Sequence, residues 1–390
     1  MISAFRFVLV NFGKSEFVTK CCKRLSASEF LIRRKRPAAR LESNLFPVGR
    51  VMKSLRAFIS LTLLLSALVS TNAAWSQTVD SKQVKAPATP PAANHRPRIG
   101  LALGGGGARG GAEVGVLQVF KEEGVPIDMI AGTSIGSVVG GLYDAGVSID
   151  ELAAKFDDSA IMRAFMPIPL SMRIVLAPVI YLPRLLGDRP YDGLYKGKEF
   201  TKYANSLAQS ETEIEKLPIP FAAVCTNLVD GKTYRISKGN LGIAMQASTA
   251  VPGLKKPVQI GDNLYCDGGL ISNVPSEQVR EMGADFVIAV DIDEQLNPVP
   301  LANFRVPGSV SKQALRIQLA SQDIPYCAAA DFVIHPNTTG ISLISRNKKD
   351  GRRGVRSGIT AARLAMPELK RKLAAIGIIC TPQTSVSSSQ

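Results

Sequence analysis

Ser134 stands in Gly132-Thr133-Ser134-Ile135-Gly136, a Gly-x-Ser-x-Gly pattern between a short apolar run and a helical one. A serine on a sharp strand-to-helix turn presents its hydroxyl at the end of a sheet, as in a nucleophile elbow. Gly132 and Gly136 keep side chains out of that turn. Such a nucleophile needs a base, donors for an oxyanion and room for an acyl group. Donors are on offer in Gly104-Gly105-Gly106-Gly107-Ala108-Arg109-Gly110, between an apolar strand and a helix. Consecutive glycines let backbone N–H groups converge on a small anion, and the helix start adds its positive end. The same GxGxxG spacing would suit a dinucleotide, which asks for an acidic residue ending a strand about twenty positions on. Asp128 has the distance but begins a strand, and no GK[ST] ending marks a P-loop.

The base is the harder assignment, because the chain holds only two histidines. His95 lies in a linker beside Arg96-Pro97 and reads as inert. His335 ends Phe332-Val333-Ile334 and permits a triad in the order Ser134, Asp267, His335. The alternative is a carboxylate acting on the serine directly. Asp267, in Cys266-Asp267-Gly268-Gly269, follows the short strand Asn263–Cys266, with Gly268 and Gly269 allowing a tight turn.

The elements that must hold these groups alternate. Strands are predicted at Ile99–Leu103, Ile127–Ala131, Phe221–Thr226, Thr233–Ile236, Phe286–Val290 and Phe332–His335. Helices are predicted at Gly111–Glu123, Ser134–Asp144, Leu241–Ser248 and Ser276–Met282, and one near Ser357–Leu373, kinked or broken at Pro367. Nearly continuous apolar strands alternating with helices predict an α/β fold with a mostly parallel sheet covered on both faces. Residues 158–190 break the rhythm: apolar, proline-rich and carrying Arg163, Arg173 and Arg184. They read either as a buried irregular excursion or as an apolar cover or membrane-surface patch, where arginines favour anionic headgroups.

Charge narrows the function classes. The net charge is +15 over 390 residues, but residues 1–76 hold 13 of the 47 Lys+Arg and 3 of the 32 acids. Most of the basic excess therefore lies outside the predicted domain, and no nucleic-acid partner is expected. Residues 52–76 have the basic start, short apolar run (Ala57–Val69) and small-residue end of a secretory signal. Residues 1–51 read as a doubtful N-terminal extension, and 77–97 as a Pro- and Ala-rich flexible linker. Cys225, Cys266, Cys327 and Cys380 show no zinc-type spacing; export would allow one disulfide between two of them, in a pairing the sequence does not specify. No metal or organic cofactor is expected, and no acidic cluster has calcium-loop spacing.

The blocks Gly100–Gly110, Ala131–Gly136, Ala247–Gly253 and Asp267-Gly268-Gly269 with Asn273-Val274-Pro275 resemble, in order and spacing, the patatin-like phospholipases. The similarity is greatest to the bacterial branch related to neuropathy-target-esterase lysophospholipases. It covers residues 98–300, a patatin-like catalytic domain, with 301–390 as the C-terminal part of the same fold and a disordered tail. The resemblance implies a three-layer α/β/α fold and a dyad without histidine, with Ser134 as nucleophile and Asp267 as general base. It implies an oxyanion site in the backbone of Gly105, Gly106, Gly107, Ala108, Arg109 and Gly110. Arg109 is given two candidate roles, orienting the loop or holding an anionic substrate. Glu113 stands where the family often has histidine, Cys266 where valine is common, and 163–190 is not recognisable as a shared lid. The implied function is an exported, periplasmic or secreted, serine acyl-hydrolase of phospholipids or lysophospholipids. It would touch membrane surfaces transiently and need no obligate protein partner. The alternative is an inactive lipid-binding or effector module on the same fold.

Overall fold

A computed structural model describes residues 96–382, apart from 177, 178, 180–189, 209–211 and 307. The extension at 1–51, the signal-like segment, the linker as far as residue 95 and the tail from 383 lie outside the described residues.

Strand β1 (Ile99–Leu103) is buried at all five positions. Its alternation sends Ile99, Leu101 and Leu103 into the larger core and Ala102 into the smaller one on the opposite face. Helix α1 (Gly111–Glu123) and strand β2 (Met129–Thr133) follow, then α2 (Ile135–Asp144) and α3 (Ile149–Asp157). Two short helices, α4 (Ala160–Phe165) and α5 (Leu170–Val175), precede α6 (Lys198–Leu207). Strands β3 (Phe221–Asn227) and β4 (Thr233–Ile236), helix α7 (Leu241–Ser248), and strands β5 (Val258–Ile260) and β6 (Asn263–Asp267) form the middle of the chain. Helix α8 (Ser276–Glu281), β7 (Phe286–Val290), α9 (Ser309–Ala328), β8 (Phe332–Ile334) and α10 (Lys348–Ala375) complete it.

The sheet runs β5-β6-β3-β2-β1-β7-β8, with β4 beside β3. The pairs β1–β2, β1–β7, β2–β3 and β7–β8 are parallel; β4 and β6 run antiparallel to β3, and β5 to β6. The larger core packs α1, α2, α3, α6 and α10 on one face, and the smaller core takes Val279 of α8 on the other. The protein is thus a three-layer α/β/α structure with a mostly parallel central sheet. Among the described residues no helix is long and apolar enough to cross a membrane.

Several local expectations are corrected. Helix α10 starts nine residues earlier than predicted and runs unbroken through Pro367. Its buried face of Gly351, Gly354, Gly358, Ala362, Met366, Leu369 and Leu373 lies against α1, and that packing outweighs the roughly 3 kcal/mol cost of an internal proline. A Cβ on Gly358 would lie 1.9 Å from the Ala112 carbonyl oxygen, so the two helices approach closely. β2 is shifted two residues toward Ser134, and α2 begins after the serine instead of on it. The segment after 158 is not irregular throughout. Ile161, Met162 and Met166 are buried, whereas α5 has no buried residue and exposes Met172, Ile174 and Val175. Its arginines are engaged: Arg163 pairs with Asp158, and Arg173 donates to the Leu194 carbonyl at 2.8 Å. Arg184 lies outside the described residues. The four cysteines at 225, 266, 327 and 380 are all free. Cys225 is in register with Asp267 and Cys266 with Thr226, so the first two face opposite sides of the sheet.

Candidate active site

Ser134 closes the turn between β2 and α2 with φ 51° and ψ −121°, an unusual conformation for a residue with a side chain. The glycines on either side permit it. A Cβ on Gly132 would lie 2.4 Å from the Gly136 carbonyl, and one on Gly136 would lie 2.3 Å from the Leu103 carbonyl oxygen. The Ser134 amide donates to Ser248 Oγ at 2.9 Å, and Ser248 Oγ donates to the Val224 carbonyl at 2.7 Å. Thr133 Oγ1 donates to the Ser272 carbonyl at 2.9 Å, fixing the other side of the turn.

Asp267 is the last residue of β6, not the residue after it. Strand β3 sets its position: Val224 is in register with Thr133, and the next residue, Cys225, with Asp267. Gly268 makes the approach feasible, because a Cβ there would lie 2.4 Å from the Val224 carbonyl oxygen. Ser134 Oγ donates to Asp267 Oδ2 at 2.7 Å, and the Gly269 amide donates to Oδ1 at 2.9 Å. Burial pushes the Asp267 carboxyl up to about 6, against the lowering pull of the Gly269 amide, the Ser134 hydroxyl and Lys255.

The glycine loop divides. The Gly105 amide donates to the Asn273 carbonyl, the Ala108 amide to the Leu343 carbonyl and the Arg109 amide to the Gly106 carbonyl. Those three hold the loop and are not available to a ligand, which corrects the expectation that the whole of Gly105–Gly110 offers donors. Among the described residues no group accepts from the Gly106 or Gly107 amide, and both residues line the cavity that holds Ser134. Arg109 is buried and saturated. It donates to Asp293 at 2.7 Å, Glu294 at 3.0 Å and the Ile341 carbonyl at 2.9 Å. Of its two candidate roles the geometry leaves loop orientation, since its guanidinium is already committed to two carboxylates.

The cavity has a volume of about 250 Å³ and walls that are mostly apolar, including Ile161, Met162, Phe165, Phe200 and Leu254. Behind the aromatic wall lies Lys255, only 1 % exposed. Its Nζ donates to Thr249 Oγ1 at 2.9 Å and sits 4.3 Å from the ring centres of both Phe165 and Phe200. Burial lowers this lysine to about 7, opposed by Asp267. Nothing local in Leu254-Lys255-Lys256-Pro257 signals that burial. Asn273 and Ser248 were likewise visible only as members of motif blocks, without roles.

His335 is elsewhere. Its Nδ1 lies 3.1 Å from Asp291 Oδ2, and the ring lines a separate groove beside α10. Glu113 is wholly buried in α1, and among the described residues neither carboxyl oxygen has a hydrogen-bond partner. Burial raises it well above the usual carboxylate range. Asp128 accepts from Arg96 and from the Ile99 amide, tying the start of β2 to β1.

Residues 101–280 match the family profile described as patatin-like phospholipase, a span that includes the loop, the elbow and Asp267. Over this stretch the chain carries a domain similar to the patatin-like phospholipases. An uncharacterised NTE family protein of Mycobacterium tuberculosis is 36 % identical over 200 residues, covering 50 % of this chain and 49 % of that one. Human patatin-like phospholipase domain-containing protein 6 is 35 % identical over 200 residues, covering 50 % of this chain and 13 % of the relative. Lysophospholipase NTE1 of Cryptococcus neoformans is 36 % identical over 195 residues, covering 50 % and 11 %. This patatin-like chain therefore spans about half the length of the mycobacterial relative and a small part of the other two. Among solved structures, human GIVD cytosolic phospholipase A2 superposes with a TM-score of 0.40 at 10 % identity, covering 72 % of this chain and 60 % of that one. VipD from Legionella pneumophila gives 0.39 at 16 %, covering 70 % and 67 %.

Proposed function

We propose that this protein is a serine acyl-hydrolase that cleaves ester bonds of phospholipids or lysophospholipids through Ser134 and Asp267. The observation that carries the reading is the 2.7 Å hydrogen bond from Ser134 Oγ to a buried carboxylate, on a strained turn at the wall of an apolar cavity. Asp267 takes the hydroxyl proton as Oγ attacks the ester carbonyl carbon. The negative charge that develops on the carbonyl oxygen meets the Gly106 and Gly107 amides. Collapse breaks the ester C–O bond, Asp267 returns the proton to the departing alkoxide, and the acyl group remains on Ser134. Water then attacks, with Asp267 again as base, releasing the fatty acid and the free serine.

Phospholipid or lysophospholipid as substrate is supported by the family and by apolar walls suited to an acyl chain. Transient membrane-surface contact is supported by the exposed Met172, Ile174, Val175 and Leu176, in and just after the short helix α5. Export to the periplasm or medium rests on the basic, apolar and small-residue pattern of 52–76. A fluorophosphonate probe followed by peptide mass spectrometry tests the reading. Labelling of Ser134 in wild type and none in Asp267→Asn is expected; an unreactive Ser134 would favour a lipid-binding module instead.

A further inference from the structure

Three residues with no part in the reaction above meet where three elements end. Asp291 follows β7 directly, His335 follows β8 directly, and Cys327 lies in the last turn of α9. His335 Nδ1 is 3.1 Å from Asp291 Oδ2, and Cys327 Sγ is 3.7 Å from the same oxygen. One ligating atom from each residue lies within 4.8 Å of the other two. Imidazole, thiolate and carboxylate are ligand types that Zn²⁺ accepts together. Tetrahedral bonds of about 2.0–2.3 Å place neighbouring ligand atoms roughly 3.3–3.8 Å apart. The two measured separations sit close to those edges.

A Cys-His-Asp catalytic arrangement does not describe this geometry. That would put the thiol on the imidazole nitrogen opposite the carboxylate. Here Sγ and Nδ1 converge on one carboxylate oxygen, which leaves a common centre between three donors.

The surroundings are short of positive charge. Asp293, Glu294 and Asp323 lie in the same region as Asp291, and the cations bound to them are Arg109 and Arg316. Asp323 stands one helical turn before Cys327 on the same face of α9, is 4 % exposed, accepts from Asn273 Nδ2 at 3.2 Å and shares a hydrogen bond with Asp293. His335, with 39 % of its side chain exposed and lining the groove beside α10, leaves a way in from solvent.

We propose that Asp291, Cys327 and His335 bind a divalent transition-metal ion of the zinc type, with water in the fourth position. Binding forms a metal–sulfur bond and releases the Cys327 thiol proton to solvent. The ion ties the C-terminal end of α9 to the ends of β7 and β8. Since Leu319 of α9 lines the cavity of Ser134, the ion fixes one wall of that cavity without entering the chemistry.

The full chain, stripped with a chelator, is titrated with Co²⁺ and then Zn²⁺ alone, following metal uptake, near-ultraviolet absorbance and circular dichroism. Wild type is expected to take up one ion per chain with a thiolate-to-cobalt charge-transfer band. Cys327→Ser is expected to lose the band, and His335→Gln, a change at a part-exposed ring, to weaken Zn²⁺ binding by about ten-fold or more with an unchanged fold. Absence of saturable uptake by wild type at micromolar Zn²⁺ overturns the site. So does uptake that both variants leave unaltered, or a charge-transfer band that survives Cys327→Ser.

Discussion

Ser134 Oγ and Asp267 Oδ2 stand 2.7 Å apart because consecutive residues of β3 hold the ends of two other strands. Val224 pairs with Thr133, the residue before the serine, and Cys225 pairs with Asp267 itself. The contact between the two side chains is therefore a product of strand register.

Burial places the Asp267 carboxyl at about 6, and only the ionised form accepts the serine proton. The value of kcat/KM should rise with pH, reach half its maximum near pH 6 and level off about one unit above. The same raised value means that stability is greatest below the ordinary carboxylate range and is lost as pH rises through about 6. Asp267→Asn should thus lose activity while its melting temperature gains on wild type between pH 4 and pH 8. A flat rate profile from pH 5 to pH 8 would contradict the assignment of the base.

Lys255 is buried against two phenylalanine rings and lowers the Asp267 carboxyl by its charge. Lys255→Met should shift the acid limb of the rate profile to higher pH while leaving the plateau in place. The lysine itself is lowered to about 7, so the folded protein binds fewer protons than the unfolded chain between about pH 7 and the ordinary lysine range. Wild-type stability should rise with pH across that window, and the methionine variant should lack this slope. An unmoved acid limb would remove Lys255 from the electrostatics of the site.

Glu113 is buried, both its oxygens lack partners among the described residues, and burial raises its carboxyl well above the usual carboxylate range. The unfolded chain ionises it near the ordinary value of 4.5, the folded protein only at higher pH. Its contribution to stability is thus present below that pH and is lost, by at most about 1.4 kcal/mol per pH unit, as pH rises toward the raised folded value. Glu113→Met should raise the melting temperature at pH 7 and by less at pH 4.5, measured by calorimetry. A methionine variant that is less stable at both values would contradict this account.

Sequence carried the parts of the site that depend on local chain geometry. Ser134 announces itself by the glycines its turn requires, and Asp267 by the glycines that let it approach Val224. What depends on distant partners was not legible. Arg109 is neutralised by Asp293 and Glu294, which no spacing rule connects to it. Lys255 looks like half of a solvated lysine pair until α4 and α6 bring Phe165 and Phe200 over it. Pro367 marks a helix break by local rules, yet packing against α1 keeps α10 whole. The ligand atoms of Asp291, Cys327 and His335 meet only because β7 and β8 are neighbours and α9 ends beside them.

The central claim is that Ser134 and Asp267 alone perform ester cleavage on lipid. A panel of phospholipids and lysophospholipids incubated with wild type, Ser134→Ala and His335→Ala, with products read by mass spectrometry, tests it most directly. Wild type should release fatty acid from at least one lipid, Ser134→Ala should release none above the uncatalysed rate, and His335→Ala should retain most of the activity. Equal loss in His335→Ala and Ser134→Ala, or hydrolysis that survives Ser134→Ala, would contradict the dyad.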